Sequence, residues 1–385
     1  MAGDLTGDGQ VELVTAQNAD RFDNHHTTTV CAQRLDGTVL WRWGDPNAGK
    51  KGRSFDVACQ IYDWRGTKEN NVILLTDREL IELDGRQGTV LRRWPIPKHA
   101  SDMLMFVNVS GKERATDILI KDRYHRLWVY DEDGNLLWSV RDPGGYMLAH
   151  QPLAFDLDGD GRDEILAGFA LLNHDGSTRW VYESNTVKLW FGGHLDSAQV
   201  LRLDQEYPEN TRIVITYCDA GGIAMLDGNG KQLWEITGRH FETVSAARLL
   251  PDRNELQLVV DVSHLAMDEP GECWILSETG VHLATLRGSH RAHPANWLDN
   301  GRDQLLFVPK QETDAKAESA LIAINTDFYL FQTGNITGNG ARDALFIAGD
   351  ELLIYANEAA PPRPSLPLGS GTNFSTYNSQ YKYKE

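Results

Sequence analysis

The sequence is poor in three features that define large classes of protein. It has only four cysteines in 385 residues, and none of them lie in a C-x-x-C pair. A zinc site built from cysteines and a disulfide framework are therefore not indicated, and we expect buried packing residues at Cys31, Cys59, Cys218 and Cys273. No apolar run approaches the roughly 18 residues that a membrane helix needs. Few windows repeat apolar residues at helical spacing, which favours an all-β protein.

Basic residues are also in short supply. The chain has 37 Lys and Arg against 55 Asp and Glu, a net charge of −18 at pH 7. This charge argues against nucleic acid as a partner and indicates that some carboxylates bind cations. No signal peptide precedes the first repeat. We expect an extracellular or periplasmic protein whose signal peptide is absent from this chain, with a cytoplasmic location as the alternative.

A pattern of apolar run, Asp/Asn/Gly-rich loop and second apolar run recurs along the whole chain. Its eight copies span residues 3–17, 60–76, 105–121, 153–168, 200–217, 247–261, 296–309 and 334–349. A second phrase, D-G-x-x-L-W, follows several copies and indicates a hairpin turn between two short strands. It begins at Asp36, Asp133 and Asp227, and in weaker form at Asp84.

Each unit therefore predicts four short strands, which is the content of one propeller blade. Eight units of about 48 residues account for the chain. The prediction is an all-β, eight-bladed β-propeller over residues 1–360, with Ca-binding Asp/Gly loops. Residues 361–385 are rich in Pro, Gly and Ser and are predicted to be a C-terminal surface tail.

The loop of the fourth copy has the pattern of a cation site. Its carboxylates alternate at Asp156, Asp158 and Asp160, with two glycines between them and a late Glu164. Such a set of oxygens suits Ca²⁺, and the ion would be structural; the alternative is a solvated acidic turn. Related residues occur in the first loop (Asp4, Thr6, Asp8, Glu12) and, in degenerate form, in the eighth (Asn335, Thr337, Asn339, Asp343).

Ionisable residues stand just before many of the apolar runs. In a propeller this position leads into the innermost strand, so equivalent residues converge on one mouth of the central channel. A converging set of titratable groups indicates a functional site, and hydrogen bonding between blades is the alternative role. The residues are Arg53, Asp56, His99, Asp102, Tyr146, His150, His194, Asp196, His240, Glu242, His290 and His293, with His25 and His26 in the first repeat.

Four residues of this set and its surroundings are predicted to share one metal ion: His150, His194, Asp196 and Asp219. Neutral imidazole and carboxylate are both good metal ligands. Zn²⁺ suits the set by its softness, and Mn²⁺ is a further candidate. Ca²⁺ pairs with histidine less often.

Residues 153–249 resemble the catalytic propeller of bacterial rhamnogalacturonan lyases of polysaccharide lyase family 11. The resemblance lies in the order DLDGDGRDEILAG, GGHLDSA and D-x-N-G-K-x-L-W, and the tail segment GTNFSTYN is also similar. It implies an eight-bladed propeller with structural calcium ions and a catalytic cleft at one mouth. It further implies that His194 and Asp196 help to hold a calcium ion near the substrate, with Asp219 beside them. Thr243 stands where the family has an arginine, and the family's catalytic Lys and Tyr have no match here.

β-Elimination of a uronic acid needs a group that neutralises the C6 carboxylate, a base for the C5 proton and an acid for the leaving oxygen. The candidates are Arg53 with the metal for neutralisation, His240 or His99 as base, and Tyr146 or His290 as acid. The predicted substrate is an acidic polysaccharide or oligosaccharide, cleaved at one mouth of the channel. The predicted substrate-binding residues are His293, Trp190, Glu242, Asp102 and Tyr124.

Three other functions remain open from the sequence. A glycoside hydrolase would use two carboxylates, for which Asp102 and Glu242 are the candidates. The acidic loops also resemble the FG-GAP repeats of non-catalytic binding propellers. The D-G-x-x-L-W phrase resembles the blade motif of quinone-dependent dehydrogenases.

Overall fold

The protein is described by a computed structural model that covers thirteen stretches of the chain. They are residues 1–21, 24–49, 58–189, 193–217, 220–262, 272–287, 292–298, 300–307, 321–323, 329–334, 336–337, 343–348 and 351–357. Strands dominate, and the helical segments within these stretches are short: α1 (Asn185–Leu189) and the 3-10 turns Pro143–Gly145 and Pro208–Asn210. Within the same stretches, no helix has the length and apolarity to cross a membrane.

By its contacts the chain divides into two compact units. The first comprises Met1–Arg141 with Leu330–Glu385, and the second comprises Asp142–Tyr329. We call them the first and second unit. The predicted boundary at residue 360 and the predicted tail 361–385 lie outside the described residues.

The described strands, numbered β1 to β30 in chain order, form eight sheets, six with four strands and two with three. Sheets 1 to 3 are β1 (Ala2–Gly3), β2 (Glu12–Arg21), β3 (Asn24–Gln33), β4 (Val39–Gly44); β5 (Cys59–Tyr62), β6 (Asn71–Leu75), β7 (Glu79–Leu83), β8 (Val90–Pro95); and β9 (Met103–Val107), β10 (Asp117–Lys121), β11 (Arg126–Tyr130), β12 (Leu136–Arg141).

Sheets 4 to 8 follow the same order along the chain. They are β13 (Leu148–Phe155), β14 (Glu164–Gly168), β15 (Ala170–Leu172), β16 (Thr178–Val181); β17 (Leu195–Arg202), β18 (Arg212–Tyr217), β19 (Gly222–Leu226), β20 (Gln232–Thr237); β21 (Phe241–Ala247), β22 (Gln257–Val262), β23 (Glu272–Ser277), β24 (His282–Arg287); β25 (His293–Ala295), β26 (Gln304–Phe307), β27 (Leu321–Ala323); and β28 (Tyr329–Gly334), β29 (Asp343–Ala348), β30 (Glu351–Ala356).

Each sheet is built from strands that are consecutive in the sequence. Every pair with a described register is antiparallel, except that β26 and β27 run parallel, with Leu305 opposite Leu321. The all-β prediction is therefore confirmed, and eight sequential sheets are consistent with a β-propeller.

In sheets 2 and 3 the first two strands are more buried than the last. Strands β5, β6, β9 and β10 are buried at every residue, whereas β8 and β12 alternate between exposed and half-buried residues. These four buried strands are mostly apolar because both of their faces are covered. The covering comes from the next sheet, since the apolar clusters join sheet 1 to sheet 2, sheet 2 to sheet 3, sheet 5 to sheet 6 and sheet 6 to sheet 7. Within the first unit, Ile336 of the eighth repeat and Leu13 of the first repeat belong to one apolar cluster.

The D-G-x-x-L-W phrase joins neighbouring sheets at their outer edges. Trp180 on β16 lies against Gly230 in the β19–β20 turn, and its Nε1 donates to the Gly228 carbonyl at 3.0 Å. Gly230 has φ of 77°, and a Cβ there would come within 2.6 Å of the Trp180 ring, so only glycine fits. The same contact recurs at Trp41–Gly88, Trp94–Gly134 and Trp234–Gly280.

Three of the four cysteines lie in described residues, and all three are free thiols. Cys59 and Cys273 are buried and Cys31 is half-buried. The packing role predicted for them is thus confirmed at Cys59 and Cys273. Cys218 lies outside the described residues.

Candidate functional site

The first strands of sheets 4, 5 and 6 carry ionisable residues near their beginnings. His150 is the third residue of β13. His194 directly precedes β17, and Asp196 is the second residue of that strand. His240 and Glu242 occupy the same two positions around the start of β21. Residues two apart in a strand lie on one face, so each pair projects to one side of its strand.

The side chains of His150, His194 and Asp196 meet in the second unit, and we call them the triad. The Nε2 atoms of the two histidines are 3.0 Å apart. Asp196 Oδ1 lies 3.6 Å from His150 Nε2 and 3.5 Å from His194 Nε2. All three residues are buried, and their ligand atoms lie within 4.8 Å of one another.

The electrostatics of the triad favour a bound cation. Burial raises the pKa of Asp196, although the hydrogen bond and charge of His194 act against the rise. Its Oδ2 atom is buried and has no hydrogen-bond partner in the described part of the chain. An ionised carboxylate in this setting is costly unless a positive charge stabilises it.

The geometry of the triad also fits a metal ion. Ligand atoms at about 2.0–2.1 Å from a tetrahedral Zn²⁺ are about 3.3 Å apart. The observed separations of 3.0, 3.5 and 3.6 Å lie around that value. Two nitrogens and one oxygen suit Zn²⁺ or Mn²⁺ better than they suit Ca²⁺. The predicted fourth ligand, Asp219, lies outside the described residues.

His240 and Glu242 form a second pair close to the triad, which we call the dyad. His240 Nε2 lies 3.4 Å from Glu242 Oε1, with 24% and 16% of the two side chains exposed. Glu242 raises and His240 lowers the pKa of Asp196, which shows that the dyad and the triad interact electrostatically. A buried metal-type cluster beside a partly exposed His–Glu pair can bind a cation and accept a proton from a ligand.

Thr243, which follows Glu242 in the sequence, bonds to a buried aspartate, Asp261. Thr243 Oγ1 donates to Asp261 Oδ2 at 3.2 Å, and Cys273 Sγ donates to Asp261 Oδ1 at 3.2 Å. Asp261 is buried on β22 and was missed by the sequence reasoning. Its only signal was a single carboxylate within the apolar run QLVVDV.

Asp102 occupies a comparable position in the first unit, directly before β9. Lys121 Nζ donates to its Oδ2 at 2.9 Å, and His25 Nδ1 lies 3.0 Å from its Oδ1. Arg123 Nη1 is 3.6 Å from the same carboxylate. The side chains of Asp102 and Lys121 are both 0% exposed. We call these four residues the cationic cluster.

The positive residues of the cationic cluster lower the pKa of Asp102 by more than burial raises it. Burial alone would raise the pKa of Asp102, but the Lys121 charge, the His25 hydrogen bond and the Arg123 charge together hold it well below its usual range. A fully buried, permanently ionised carboxylate is committed to internal contacts. The charge of Asp102 is thus compensated by residues of the chain itself, and its predicted roles as a substrate-binding residue and as a hydrolase carboxylate stay predictions.

Two members of the cationic cluster come from unexpected places. His25 lies inside β3, whereas the sequence put it before a strand; β2 and β3 have ten residues each, so their hairpin extends far enough to reach Asp102. Lys121 ends β10 opposite Met103. Sequence reasoning missed Lys121, whose only signal was a lone lysine at the end of the apolar run DILIK.

Tyr146 and His99, two acid–base candidates, lie apart from these clusters in their contacts. The Tyr146 hydroxyl is 3.2 Å from Glu183 Oε1 and donates to it. Burial and the Glu183 charge raise the pKa of Tyr146, so the phenol is protonated at neutral pH. His99 is half-buried and has a left-handed backbone, with φ of 69°.

Of the remaining candidates, Tyr124 is half-buried and lies beside Arg123, whose guanidinium carbon is 5.4 Å from the ring centroid. An arginine–tyrosine pair of this kind has both stacking and charge to offer a sugar acid. His293 begins β25 and is half-buried. Five predicted or related residues lie outside the described residues: Arg53, Asp56, Trp190, Asp219 and His290.

The loop of the fourth repeat is closed by its own carboxylates. Asp156 accepts the Gly159 N–H at 2.7 Å, and Glu164 accepts the Leu157 N–H at 2.8 Å. Ligand atoms of Asp156, Asp158 and Glu164 lie within 4.8 Å of one another, which fits a divalent cation. Asp160 instead accepts the Arg162 N–H at 2.8 Å.

An arginine lies over this loop. Arg179 Nη1 is 2.8 Å from Asp158 Oδ2 and 3.1 Å from Glu164 Oε1. Burial is the main cause that raises the pKa of Glu164 to about 7, and the charges of Asp158 and Asp160 add to it. Arg179 therefore supplies part of the positive charge that a cation would supply.

The first loop has the same backbone pattern. Asp4 accepts the N–H groups of Gly7 and Gly9 at 2.6 and 2.9 Å, and Glu12 accepts the Leu5 N–H at 2.8 Å. Asp8 accepts a local hydrogen bond from the Gln10 N–H at 2.8 Å. In the eighth repeat, Asp343 takes the role of Glu12 and binds Ile336 and Thr337, while Asn335 and Asn339 lie outside the described residues.

Comparisons with known proteins support the fold and leave the function to the site. No family model and no curated protein matches the sequence. Among solved structures, the rhamnogalacturonan lyase YesW is 19% identical with a TM-score of 0.59, covering 99% of this chain and 80% of that one. The rhamnogalacturonan lyase PL11 of Bacillus licheniformis is 17% identical with a TM-score of 0.60 and the same coverage. The biofilm matrix protein Bap1 of V. cholerae is 12% identical with a TM-score of 0.60, covering 99% and 89%.

The resemblance to rhamnogalacturonan lyases that the sequence indicated is confirmed at the level of the fold. At these identities the likeness extends to the fold alone. A matrix protein superposes as well as the lyases do, so only the triad and the dyad can favour one function over another.

Proposed function

We propose that this chain is a polysaccharide lyase that cleaves an acidic, uronate-containing, rhamnogalacturonan-like polysaccharide by β-elimination. The observation that supports the proposal most strongly is the buried triad His150, His194 and Asp196 beside the partly exposed dyad His240 and Glu242. The fold likeness to rhamnogalacturonan lyases agrees with it. We further propose that the eight sheets are the blades of one propeller and that the enzyme acts outside the cytoplasm, where such a substrate is met.

The triad would hold the metal ion, which when bound would supply positive charge for the C6 carboxylate of the substrate. With that charge neutralised, the C5 proton becomes acidic. His240, exposed enough to meet a ligand and held by Glu242, accepts this proton. The C4–O bond breaks as the C4–C5 double bond forms.

The leaving oxygen requires a proton, and of the two predicted acids, Tyr146 and His290, only Tyr146 lies among the described residues. Its phenol is protonated at neutral pH, as a tyrosine ordinarily is, and it donates to Glu183 Oε1 at 3.2 Å. Lys188 lies 2.9 Å from Glu183 and restrains that carboxylate. His99 and His290 remain the alternatives for base and acid, and Arg53 the alternative for neutralising the carboxylate.

The test is the ultraviolet absorbance of unsaturated uronate, followed on rhamnogalacturonan, ulvan and gum arabic. We expect absorbance to rise on at least one of them, and the rise to fall by at least about 100-fold in His194→Ala and His240→Ala. Leu233→Ala, an exposed substitution on β20, serves as the control. An absence of absorbance change on all three polysaccharides would reject the lyase and favour the non-catalytic binding propeller, for which the Bap1 likeness is the supporting observation.

We also propose that the loops around Asp156 and Asp4 bind structural Ca²⁺. Titration with CaCl₂ should raise the melting temperature of the wild type. The rise should shrink in Glu164→Gln, which removes a ligand charge, and grow in Arg179→Met, which removes the competing cation. A rise of equal size in all three proteins would show that calcium binds elsewhere.

A further inference from the structure

Thr216, on β18, bonds two neighbouring sheets at the level of the site. Its side chain is 0% exposed. Its Oγ1 donates to the main-chain carbonyl of Glu242 at 2.6 Å and accepts the main-chain N–H of Ser197 at 3.1 Å. Ser197 directly follows the triad member Asp196, and Glu242 belongs to the dyad. One hydroxyl therefore contacts the strands that carry both groups.

Further side-chain bonds continue this connection along the same two strands. Ser197 Oγ accepts the Val244 N–H at 3.4 Å, and Gln199 Oε1 accepts the Ala246 N–H at 2.9 Å. β17 and β21 belong to different sheets and share no backbone ladder. Their relative position near the site is therefore set by these side chains and by apolar packing. Among these side chains, Thr216 contacts the dyad residue Glu242 itself.

We propose that Thr216 is a positioning residue that fixes the distance and orientation of the His240–Glu242 dyad relative to the His150–His194–Asp196 triad. The role rests on the proposed function, in which the triad binds the substrate carboxylate and the dyad removes its proton. Thr216 is too deeply buried to touch a substrate. It acts through the backbone at Glu242, because a displacement of a catalytic group by about 1 Å costs up to about 100-fold in rate.

The chain offers a matched control in the same sheet. Thr211 directly precedes β18 and is also 0% exposed. Its Oγ1 accepts the Asp204 N–H at 3.0 Å and donates to the Asp204 carbonyl at 3.3 Å. It thus has the same burial and the same two kinds of bond, at the other end of the strand. Thr211→Val and Thr216→Val lose the same groups.

The first measurement is the steady-state kinetics of Thr216→Val, Thr216→Ser and Thr211→Val, with melting temperatures. We expect kcat of Thr216→Val to fall by at least about 10-fold while KM changes by less than about threefold. Thr216→Ser keeps the hydroxyl and should recover to within about threefold of the wild type. Thr211→Val should lose similar stability with kcat within about twofold. Equal kcat in the two valine variants would overturn the proposal, and so would a failure of serine to restore it.

The second measurement needs no activity, so it separates this proposal from the proposed function. Crystal structures of the two valine variants would give the position of the Glu242 main chain relative to Asp196. We expect a shift of at least about 0.5 Å in Thr216→Val, the tolerance of a well-held site, and none in Thr211→Val. A wild type without lyase activity, together with this shift, would reject the proposed function and leave the positioning role standing. An unshifted Glu242 would reject the positioning role whatever the activity.

Discussion

The two units each bury an aspartate at the beginning of an inner strand, and they treat it in opposite ways. In the first unit, Lys121, His25 and Arg123 surround Asp102 and lower its pKa. In the second unit, Asp196 faces two imidazoles, and burial raises its pKa. The first aspartate has its positive charge supplied by a lysine and an arginine of the chain, whereas the ion pairs of the second, within the described residues, are with two imidazoles.

This difference distinguishes a carboxylate with internal ion pairs from one that we propose binds a metal ion. A carboxylate that the protein already neutralises has nothing to gain from a metal ion, whereas one that is buried beside imidazoles gains a great deal. Sequence position alone does not reveal this, because both aspartates stand at nearly the same register. The distinction comes from Lys121 on the neighbouring strand.

The largest expected effect is on stability, in the pair Asp102→Asn and Asp196→Asn. Asp102→Asn leaves the buried Lys121 without its anion and should lower the free energy of unfolding by about 3–5 kcal/mol. Asp196→Asn in metal-free protein should change it by less than about 1 kcal/mol, or raise it, because the raised pKa shows that charge is unfavourable there. Urea unfolding at pH 7 with a chelator measures both. Comparable losses in the two variants would break the comparison.

Metal binding should depend on Asp196 and not on Asp102. A Zn²⁺ or Mn²⁺ ion that binds the native state and not the unfolded state adds about 2.7 kcal/mol to the free energy of unfolding when its concentration is 100 times Kd. We expect this gain in Asp102→Asn carrying Lys121→Met, which removes the buried charge pair, and no gain in Asp196→Asn. Thermal melts with each ion provide the measurement. Every protein in this comparison also carries Glu164→Gln, which limits metal binding at the loop of the fourth repeat. A gain that survives Asp196→Asn would place the metal elsewhere.

The smallest effect is in the pH dependence, and its sign differs between the two aspartates. The folded pKa of Asp102 lies below its unfolded value, so its stabilisation is present above about pH 3.9 and lost as the pH falls through the folded pKa. The folded pKa of Asp196 lies above its unfolded value, so its contribution is present in acid and lost as the pH rises. Between pH 4 and 7, metal-free Asp196→Asn should therefore gain on the wild type as the pH rises. The assignment is contradicted if the free energy of unfolding of Asp196→Asn minus that of the wild type falls or stays constant as the pH rises.

Much of the architecture was predictable from periodicity. The eight repeats locate the sheets because the two apolar runs of a repeat fall on the first two strands of one sheet, and the D-G-x-x-L-W phrase locates the hairpin of the last two strands. The parallel pairing of β26 and β27 was not predicted, since Leu305 and Leu321 are apolar residues with no signal of strand direction. The long β2–β3 hairpin was likewise missed, because its polar residues NADRFDNHHTTT lack an apolar pattern.

The site was predictable in part for the same reason. The register of His150, His194 and Asp196 follows from the repeat, and their meeting follows from neighbouring inner strands. The contacts of Lys121, Asp261 and Thr216 could not be predicted, because they depend on which side chains from second strands reach the first strands. A lysine, an aspartate and a threonine within apolar runs have no sequence signature that separates a role in the site from a tolerated polar residue.

The tryptophan contacts between sheets run in one direction along the chain. Trp180 of sheet 4 rests on a turn of sheet 5, and Trp234 of sheet 5 rests on a turn of sheet 6. Sheets 1, 2, 4 and 5 thus each rely on the following sheet to cover an indole. A fragment cut after any of these sheets would leave the tryptophan of its last sheet uncovered, whereas removal of the sheets before it would leave its tryptophans covered. The exposure of tryptophan in fragments of this protein should therefore depend on where they stop and not on where they start.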